Sequence, residues 1–279
     1  MGRPGRRCRA RDHGRRRGDR GGEADVQAAS GPQLNADEVF PRIRELGFSE
    51  DDARTLAAHF TDAEQRGKHG HGFSRVEWLA KLPDLDPRAR PERVDSGPGF
   101  ERWHGRGALG YLTLAAICDA QLTTPPERAR VIVAEATFPT GMLGYWMRRL
   151  AEGGLCAAIT ATSPARLPHP DGGEPLVGTT PLAIGIPSSD GRLFVSDVSM
   201  GKVTYGDVIA GLAAPDDLVP FGGDQAHKAF ALAAALQLLV ESLTVGDEYG
   251  AVLVVARPES DPVPGFRGRA GGLRLPGDS

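Results

Sequence analysis

The sequence predicts a mixed α/β or α+β fold in which a small helical N-terminal part precedes alternating helices and strands. Two amphipathic helix patterns follow one another between residues 35 and 67. From Gly107 onward, apolar runs of strand length alternate with helical runs. The 279 residues are 40% hydrophobic and 25% charged, which is an ordinary composition for one large domain or two small ones.

The two N-terminal helices carry recognisable boundary signals. Asn35 and Glu38 have the spacing of a capping box, so the first helix is predicted to begin there. Pro41 lies inside the same helix and is expected to shorten or kink it, because proline lacks the N–H that a helix interior uses. Ser49 is predicted to open the second helix, and Gly67 is a suitable residue to end it.

The remaining elements are predicted from the periodicity of apolar residues. We expect helices over residues 111–121, 141–151 and 227–243, and strands over residues 130–135, 155–160, 180–187, 192–197 and 250–256. Residues 83–99 are rich in proline and charge and are predicted to form a connecting loop. The tail from Arg257 is expected to have little regular structure.

Charge is distributed unevenly along the chain. Residues 1–20 hold nine arginines and two aspartates, a net charge of +7, whereas the whole chain carries −3 and its remainder therefore −10. We predict a disordered basic tail over residues 1–32, since this segment has too few apolar residues to bury a core. The acidic body lacks a nucleic-acid footprint, so we expect no specific nucleic-acid partner, although binding of nucleic acid by the tail is an alternative.

Several classes of protein are disfavoured by composition. No apolar run approaches the length of a membrane span, and no apolar segment follows residues 15–17 that would complete an export signal. The three cysteines, Cys8, Cys118 and Cys156, are odd in number and widely spaced, which argues against a disulfide framework. We therefore expect a cytoplasmic protein without a membrane segment, and no Cys/His spacing indicates a metal site.

The most informative segment is RGKHGHGFSR at residues 66–75, which sets two imidazoles and an arginine among glycines directly after a helix. His71 can exchange a proton near neutral pH, and Arg75 can hold a carboxylate by a two-pronged contact. Their spacing would place both on one face of a helical turn. A proton carrier beside a carboxylate clamp suits chemistry on a small 2-oxo or 2-hydroxy acid. The alternative is an ordinary glycine-rich surface turn.

Common nucleotide and catalytic motifs are not found in the sequence. There is no G-x-G-x-x-G between a strand and a helix with an acidic residue downstream, and no P-loop, G-x-S-x-G elbow or H-E-x-x-H segment. If a dinucleotide binds, we expect it to do so in a fold other than the Rossmann fold.

Further segments occur in a definite order after residues 66–75: GTTPL at 178–182, DVS at 197–199, FGG at 221–223, KAFAL at 228–232 and LPGD at 275–278. Together they resemble the malate/L-lactate dehydrogenase family of the non-Rossmann type, which also includes ureidoglycolate dehydrogenase and piperideine-2-carboxylate reductase. The resemblance implies a predominantly antiparallel sheet flanked by helices, NAD or NADP as cofactor, and an intertwined homodimer. It also implies hydride transfer between the nicotinamide and C2 of a small carboxylic acid, which is a 2-hydroxy or 2-oxo acid or a cyclic 2-imino acid.

Roles for individual residues follow from motif position in the resemblance. His71 would be the proton donor, Arg75 would hold the substrate carboxylate, and Thr179 would help to hold the substrate. The residues expected to line the cofactor are Thr140, Gly141, Met142, Leu143, Thr162, Asp197, Val198, Ser199, Lys228 and Ala229.

The same reasoning divides the chain into four parts. The tail of residues 1–32 precedes a helical N-terminal part at 33–105 and a cofactor-binding α/β domain at 106–230. The helix, strand and tail of residues 231–279 are expected to pack on the N-terminal part.

Physical chemistry supports some of these roles and leaves alternatives for others. The segment from Thr140 to Leu143 is predicted to open a helix, where unpaired N–H groups suit a pyrophosphate. Lys228 opens a second helix and can pair with a phosphate. The alternatives are that Thr140 is only a helix cap, Asp197 a solvated acid at a strand end, and Lys228 an exposed helix charge.

The chain also departs from the family pattern. Gly70 stands where the family has a serine relay partner, and Pro139 stands where it has a second histidine. Thr180 replaces the asparagine of G-T-N-P, and the segment between Asp197 and Phe221 is shorter than in the family. In an active enzyme His71 would therefore handle the proton alone or with His69 or water. The alternative is a catalytically impaired relative that binds ligands on the same scaffold.

Overall fold

The computed structural model describes residues 34–278. The predicted basic tail of residues 1–32 lies outside the described residues, as does Cys8. The helices of the described part are α1 Ala36–Glu45, α2 Glu50–Gln65, α3 Ser74–Leu79, α4 Gly110–Thr123, α5 Leu143–Glu152, α6 Tyr205–Ile209, α7 Ala226–Leu243 and α8 Val263–Ala270. The strands are β1 Glu92–Gly97, β2 Phe100–His104, β3 Ala129–Glu135, β4 Cys156–Ala161, β5 Leu167–His169, β6 Gly172–Val177, β7 Leu182–Ile186, β8 Phe194–Val198 and β9 Ala251–Ala256.

The N-terminal helices begin where their caps predict. The Asn35 side chain accepts hydrogen bonds from backbone N–H groups in the first turn of α1, and the Glu38 carboxylate accepts one from the Asn35 N–H over 2.9 Å. The Ser49 hydroxyl accepts a hydrogen bond from the Asp52 N–H over 3.2 Å at the start of α2. Helix α1 continues through Pro41 to Glu45, so the expected shortening does not occur.

Seven strands form one sheet in the order β1-β2-β3-β9-β4-β7-β8, and β5 pairs with β6 in a separate hairpin. Within the seven-stranded sheet β2 and β3 run parallel, whereas the other neighbours are antiparallel. The prediction of a predominantly antiparallel sheet flanked by helices is therefore confirmed.

The main hydrophobic core fills the space between one face of this sheet and helices α2, α4 and α5. Alternate strand residues such as Ile132, Ile159 and Leu253 point into it, and Trp146 and Leu150 of α5 pack against them. Burial of such side chains contributes about 1.5–3 kcal/mol each. This layer also fixes the start of α5, at which the cavity described below is found.

Several segments have more structure than the sequence indicates, and β1 and α8 are two examples. Strand β1 lies within residues 83–99, which were predicted to be a loop; its sequence is polar and mostly exposed, so only its pairing with β2 defines it. Helix α8 lies in the C-terminal tail and is held by Arg267, which pairs with Asp278 and donates to the carbonyl of Leu193. Both elements depend on tertiary contacts that periodicity does not reveal.

The C-terminal part of the chain belongs to the sheet and also contacts the end of the N-terminal part. Phe100 packs against Val240 and Val252, and Arg102 donates a hydrogen bond to the Leu243 carbonyl over 3.1 Å. Strand β9 lies between β3 and β4, so a boundary near residue 230 would divide one sheet. Helix α7 contacts β4, β5, β6 and β9, and α8 packs beside the start of β8. Because β2, β3 and β9 are neighbouring strands of one sheet, the division of the chain at residues 105 and 230 stays a prediction.

Helix α7 has one buried side and one exposed apolar side. Ala229, Ala233 and Val240 are buried against the strands, and Gln237 accepts a hydrogen bond from the Gly178 N–H over 2.9 Å. Its exposed apolar residues are Leu232, Leu238, Leu239 and Leu243. By length and composition alone the segment Gly223–Leu243 is able to cross a membrane, so the statement that no run has that length was wrong. One such helix is weak evidence for a membrane protein.

Candidate active site

A cavity of about 290 Å³ opens where the loop after α2, the turn before α5 and helix α6 meet the ends of β4 and β8. The predicted site residues on its wall are His71, Arg75, Thr140, Gly141, Met142, Leu143, Thr162, Thr179, Asp197 and Ser199. Val198, Lys228 and Ala229 do not line it: the first two are exposed to solvent and the third is buried in the first turn of α7. The structure thus brings together most of the predicted residues.

His71 reaches this cavity because the chain turns sharply after α2. Gly67 has a positive φ of 69°, and a short 3-10 helix, His69–His71, then carries the imidazole inward. Its Nδ1 atom is buried and has no hydrogen-bond partner among the described residues. Burial, followed by the charge of Arg75 and the nearby His59 and Lys68, holds the pKa of His71 well below its usual 6.5. His71 is therefore neutral at pH 7, which is the form of the imidazole that can accept a proton.

Arg75 places a nearly buried guanidinium at the same cavity. Its Nε donates to the Gly70 carbonyl over 2.9 Å, and its guanidinium carbon lies 4.7 Å from the centre of the Trp78 ring. Within residues 34–278 no carboxylate forms an ion pair with it. His71 and Arg75 lie in separate helical segments, a 3-10 helix and α3, and do not share one helical turn as predicted. A buried positive charge without a counter-ion is suited to bind an anion.

His69, in contrast, is directed away from the cavity. Its Nδ1 pairs with the carboxylate of Glu64, which also accepts a hydrogen bond from the Phe73 N–H over 3.0 Å. A Cβ on Gly72 would overlap the same carboxylate, so a side chain there would displace Glu64 from this position. Glu64 and His69 thus brace the loop, and the structure gives no support to His69 as a helper of His71.

The turn before α5 is held in place by the imidazole of His59. Gly141 has a positive φ of 70°, and a Cβ there would lie 2.6 Å from Nε2 of His59 and overlap the Tyr111 ring. The next residue, Met142, donates its backbone N–H to His59 Nε2 over 3.0 Å. The Gly144 N–H donates to Asp197 Oδ2 over 2.7 Å. Within the predicted pyrophosphate segment of residues 140–143, the Met142 N–H is therefore already engaged, as is the Gly144 N–H just after it.

His59 itself was not identified from the sequence as a site residue. It is fully buried on α2 among the rings of Phe60, Tyr111, Tyr145 and Trp146. Burial lowers its pKa to about 3, so its imidazole is neutral and supports the turn without exchanging protons at pH 7. The only sequence pattern that includes His59 is the apolar face of α2, which predicts that the side chain is buried but not that it contacts the turn before α5.

Gly70 and Pro139 stand at positions where the family resemblance implies a serine and a second histidine. Among residues 34–278, His71 is therefore the one histidine on the cavity wall. Pro139 follows a cis peptide bond with Phe138 and lines the cavity, where its ring can neither donate nor accept a proton. Gly70 is buried against α6 and has no space for a side chain.

The wall also carries polar and aromatic residues to which the sequence analysis gave no role, among them Lys68, Arg166, Tyr205 and Asp207. The Arg166 guanidinium carbon lies 3.6 Å from the centre of the Tyr205 ring, which is a close cation–π contact. Tyr205 and Asp207 belong to α6, a helix that was not predicted. Among residues 34–278, no group of three or more His, Cys, Asp or Glu side chains is arranged to hold a metal ion.

Comparison with known proteins agrees with this geometry. The family model for malate/L-lactate dehydrogenases matches residues 37–214. The 2,3-diketo-L-gulonate reductase of Salmonella typhi is 28% identical over 190 residues, which are 65% of this chain and 55% of that enzyme. The chain thus matches just over half the length of this curated relative.

Two solved structures show the same fold. Malate dehydrogenase from Entamoeba histolytica has a TM-score of 0.75 at 17% identity, covering 88% of this chain and 87% of its own. Delta1-piperideine-2-carboxylate reductase from Pseudomonas syringae has a TM-score of 0.74 at 23% identity, covering 89% of this chain and 92% of its own. The match to the family model confirms the resemblance seen in the sequence, and the chain belongs to the malate/L-lactate dehydrogenase family.

Proposed function

We propose that the protein is an NAD(P)-dependent oxidoreductase that transfers a hydride between the nicotinamide and C2 of a small carboxylic acid. The acid is a 2-hydroxy or 2-oxo acid of the malate or lactate type, or a cyclic 2-imino acid. The observation that carries the proposal is the nearly buried Arg75 guanidinium without a carboxylate partner, placed beside the neutral His71 in one cavity. Relatives named for malate, diketogulonate and piperideine carboxylate support an acid as the substrate.

The residues of the cavity fit one end of a nicotinamide cofactor together with a small acid. Its volume of about 290 Å³ is at the lower end of the range of ligand pockets, so the rest of a dinucleotide would lie outside it. Hydroxyl groups of Thr140, Thr162 and Ser199 line the wall, and Lys68 supplies positive charge. A bound nicotinamide supplies the carbon that accepts or donates the hydride.

Arg75 and His71 divide the remaining work between them. Arg75 binds and orients the carboxylate of the acid, which fixes the position of the neighbouring C2. In the direction of oxidation, the neutral His71 accepts the proton of the hydroxyl group. In the direction of reduction, the bound carboxylate offsets the charge of Arg75, which raises the pKa of His71 and allows it to carry the proton that it donates.

An alternative is a catalytically impaired relative that binds a ligand on the same scaffold. Pro139 favours this alternative, because it replaces the second imidazole of the family with a side chain that cannot exchange protons. It predicts that a cofactor or an acid still binds, whereas the substitution His71→Ala changes no measurable activity.

The test is to mix purified protein with NADH or NADPH and a panel of 2-oxo acids and cyclic imino acids, and to follow absorbance. In the active pair, His71→Gln is expected to lower kcat by about 10²–10⁴-fold, which is the usual contribution of general acid–base catalysis. His69→Gln is the matched control, because this side chain faces Glu64 instead of the cavity. Absence of both turnover and calorimetric cofactor binding would refute the proposal, and binding without turnover would favour the alternative.

We also propose that two copies of the chain form a homodimer through the second face of the sheet. Val131, Val254, Ala158 and Ile184 are aligned across β3, β9, β4 and β7 in register, and three of them are exposed by 37–43%. The exposed leucines of α7 lie on the same face, since Val240 of that helix packs on the same side of β3 and β9. An apolar surface of this extent is typical of an interface.

Light scattering after size-exclusion chromatography tests this proposal. The wild type is expected to be a dimer, and Ile184→Lys is expected to shift it toward the monomer by burying a charge in the interface. Leu212→Lys is the control, because Leu212 is exposed but lies after α6, away from this face. A monomeric wild type would contradict the proposal.

We further propose that the protein acts in the cytoplasm, with no specific nucleic-acid partner and no membrane. The acidic balance of the chain beyond residue 20 and the two free thiols, Cys118 and Cys156, support this. Recovery of the protein in the membrane fraction, or nucleic-acid binding by a chain that lacks residues 1–32, would contradict it.

A further inference from the structure

We propose that helix α6 is a positioning element for the Arg75 carboxylate clamp, and that Gly70 and Gly206 are both glycine because the two backbones meet there. The inference rests on the proposed function, since it explains how the residue that would hold the substrate acid is kept in place.

The contact between the loop and α6 leaves no space for a side chain on either partner. A Cβ on Gly206 would overlap the Gly70 carbonyl and lie 2.8 Å from Nη2 of Arg75. A Cβ on Gly70 would lie 2.5 Å from Oδ1 and 2.6 Å from the backbone N of Asp207. Real Cβ atoms essentially never approach other atoms below 3.0 Å. Glycine is therefore required on both sides.

This contact fixes Arg75 from several directions. Its Nε is bound to the Gly70 carbonyl, its guanidinium lies over the Trp78 ring, and Gly206 closes the side next to Nη2. Because the Gly70 carbonyl both accepts from Arg75 and abuts Gly206, a shift of α6 would move the hydrogen-bond acceptor and the guanidinium together.

A five-residue helix is not stable by itself, so α6 must be held by its surroundings. A capping box does part of this: the Thr204 hydroxyl accepts from the Asp207 N–H over 3.2 Å, and Asp207 accepts from the Thr204 N–H over 2.8 Å. The ends of the segment are joined by a bridge between Gly201 and Pro220. The cap and the bridge thus hold Gly206 of α6 against Gly70 of the loop after α2.

The same contact accounts for the glycine at position 70. In this chain the backbone of α6 occupies the space next to Gly70, and the Gly70 carbonyl accepts the hydrogen bond that orients Arg75.

The test compares Gly206→Ala with Gly268→Ala. Both glycines lie in helices, but a Cβ on Gly268 meets no atom within 4 Å. Gly206→Ala is expected to raise the KM for the acid at least about tenfold with an unchanged Kd for the cofactor, because small misplacements of a clamp have large effects. Gly268→Ala is expected to leave both constants unchanged. In an Arg75→Lys background, Gly206→Ala is expected to add less than about twofold, because the two residues act as one unit.

A second readout does not depend on turnover, so that failure of the proposed function and failure of this inference are distinguishable. The pKa of His71 is lowered by Arg75, His59 and Lys68. The other charged and titratable residues on the cavity wall are Tyr111, Arg166, Asp197, Tyr205 and Asp207. Displacement of Arg75 by Gly206→Ala is expected to raise the pKa of His71 in a histidine NMR titration, even if the wild type turns over no acid.

A folded Gly206→Ala protein with the wild-type His71 titration and, where there is turnover, the wild-type KM would overturn the inference. If Gly206→Ala does not fold, Thr204→Val decides the question, because it removes the cap of α6 without changing a charge. The same shifts are expected, at smaller amplitude, and their absence would equally overturn the inference.

Discussion

Lowering the pH from about 7.5 to about 5 is expected to reduce the free energy of unfolding. The contribution of His59 to this reduction can be calculated. In the folded protein the imidazole is fully buried among aromatic rings, and its Nε2 accepts the Met142 N–H over 3.0 Å. Protonation would break that hydrogen bond and leave a charge without water. The folded state therefore excludes a proton that the unfolded chain binds readily.

The size of the effect follows from the two pKa values. The pKa of His59 is lowered from 6.5 to about 3 on folding. Between these values the unfolded chain binds more protons than the folded one, so stability falls as the pH falls below 6.5 and continues to fall until about 3. Integrated from about pH 7.5 to about pH 5, with 1.36 kcal/mol per unit, the contribution of His59 is about 2 kcal/mol.

The assay is urea denaturation of the wild type and of His59→Gln at both pH values. The glutamine oxygen can still accept the Met142 N–H but does not titrate, so the loss of stability between the two pH values should be about 2 kcal/mol smaller in the variant. His227→Gln, at an exposed position on α7, is the control and should retain the loss found in the wild type. If the wild type and His59→Gln lose the same free energy, the reasoning is refuted.

Four further outcomes are expected. Gly141→Ala should lower the free energy of unfolding by about 1–3 kcal/mol more than Gly154→Ala. Both glycines have a positive φ, but only a methyl group at position 141 meets other side chains. Equal melting temperatures of the two variants would contradict this prediction. Arg75→Lys retains the charge but loses the planar fork, so the KM for the acid should rise about 10–100-fold, and an unchanged KM would count against the clamp. Because the pKa of His71 is lowered, kcat/KM for oxidation should be constant above pH 7 and fall only below the usual value of 6.5. A midpoint above 7 would contradict a base with a lowered pKa. Glu101→Leu leaves the buried Arg130 unpaired and should lower the free energy of unfolding by about 3–5 kcal/mol, whereas a change below about 1 kcal/mol would show that the pair is dispensable.

Local signals were sufficient for the elements that carry them. The capping pairs at Asn35 and Ser49 define helix starts because cap and helix are adjacent in the chain. The buried strands β3 and β9 follow from their apolar runs. The exposed strand β1 could not be found in this way, since its polar sequence obtains its hydrogen bonds from β2.

The residues of the candidate site that belong to one local motif could be predicted from the sequence. Those brought together from distant parts of the chain could not. His71 and Arg75 lie four positions apart in the sequence, and both line the same cavity. His59 and Met142 are 83 residues apart, so no local pattern indicates that a buried imidazole supports the turn beside the cavity. Lys228 is predicted from its motif and from its place at a helix start, but it does not line the cavity.

The sequence by itself determined the family, the order of most helices and strands, and the pairing of a proton carrier with an anion clamp in residues 66–75. Only the tertiary structure decided which of these groups are available for chemistry. The N–H groups at the start of α5 are engaged by His59 and Asp197, and the space beside Gly70 is filled by α6. The reason is physical: burial, unpaired charge and excluded volume depend on what the rest of the chain places around a residue, and no local pattern records it.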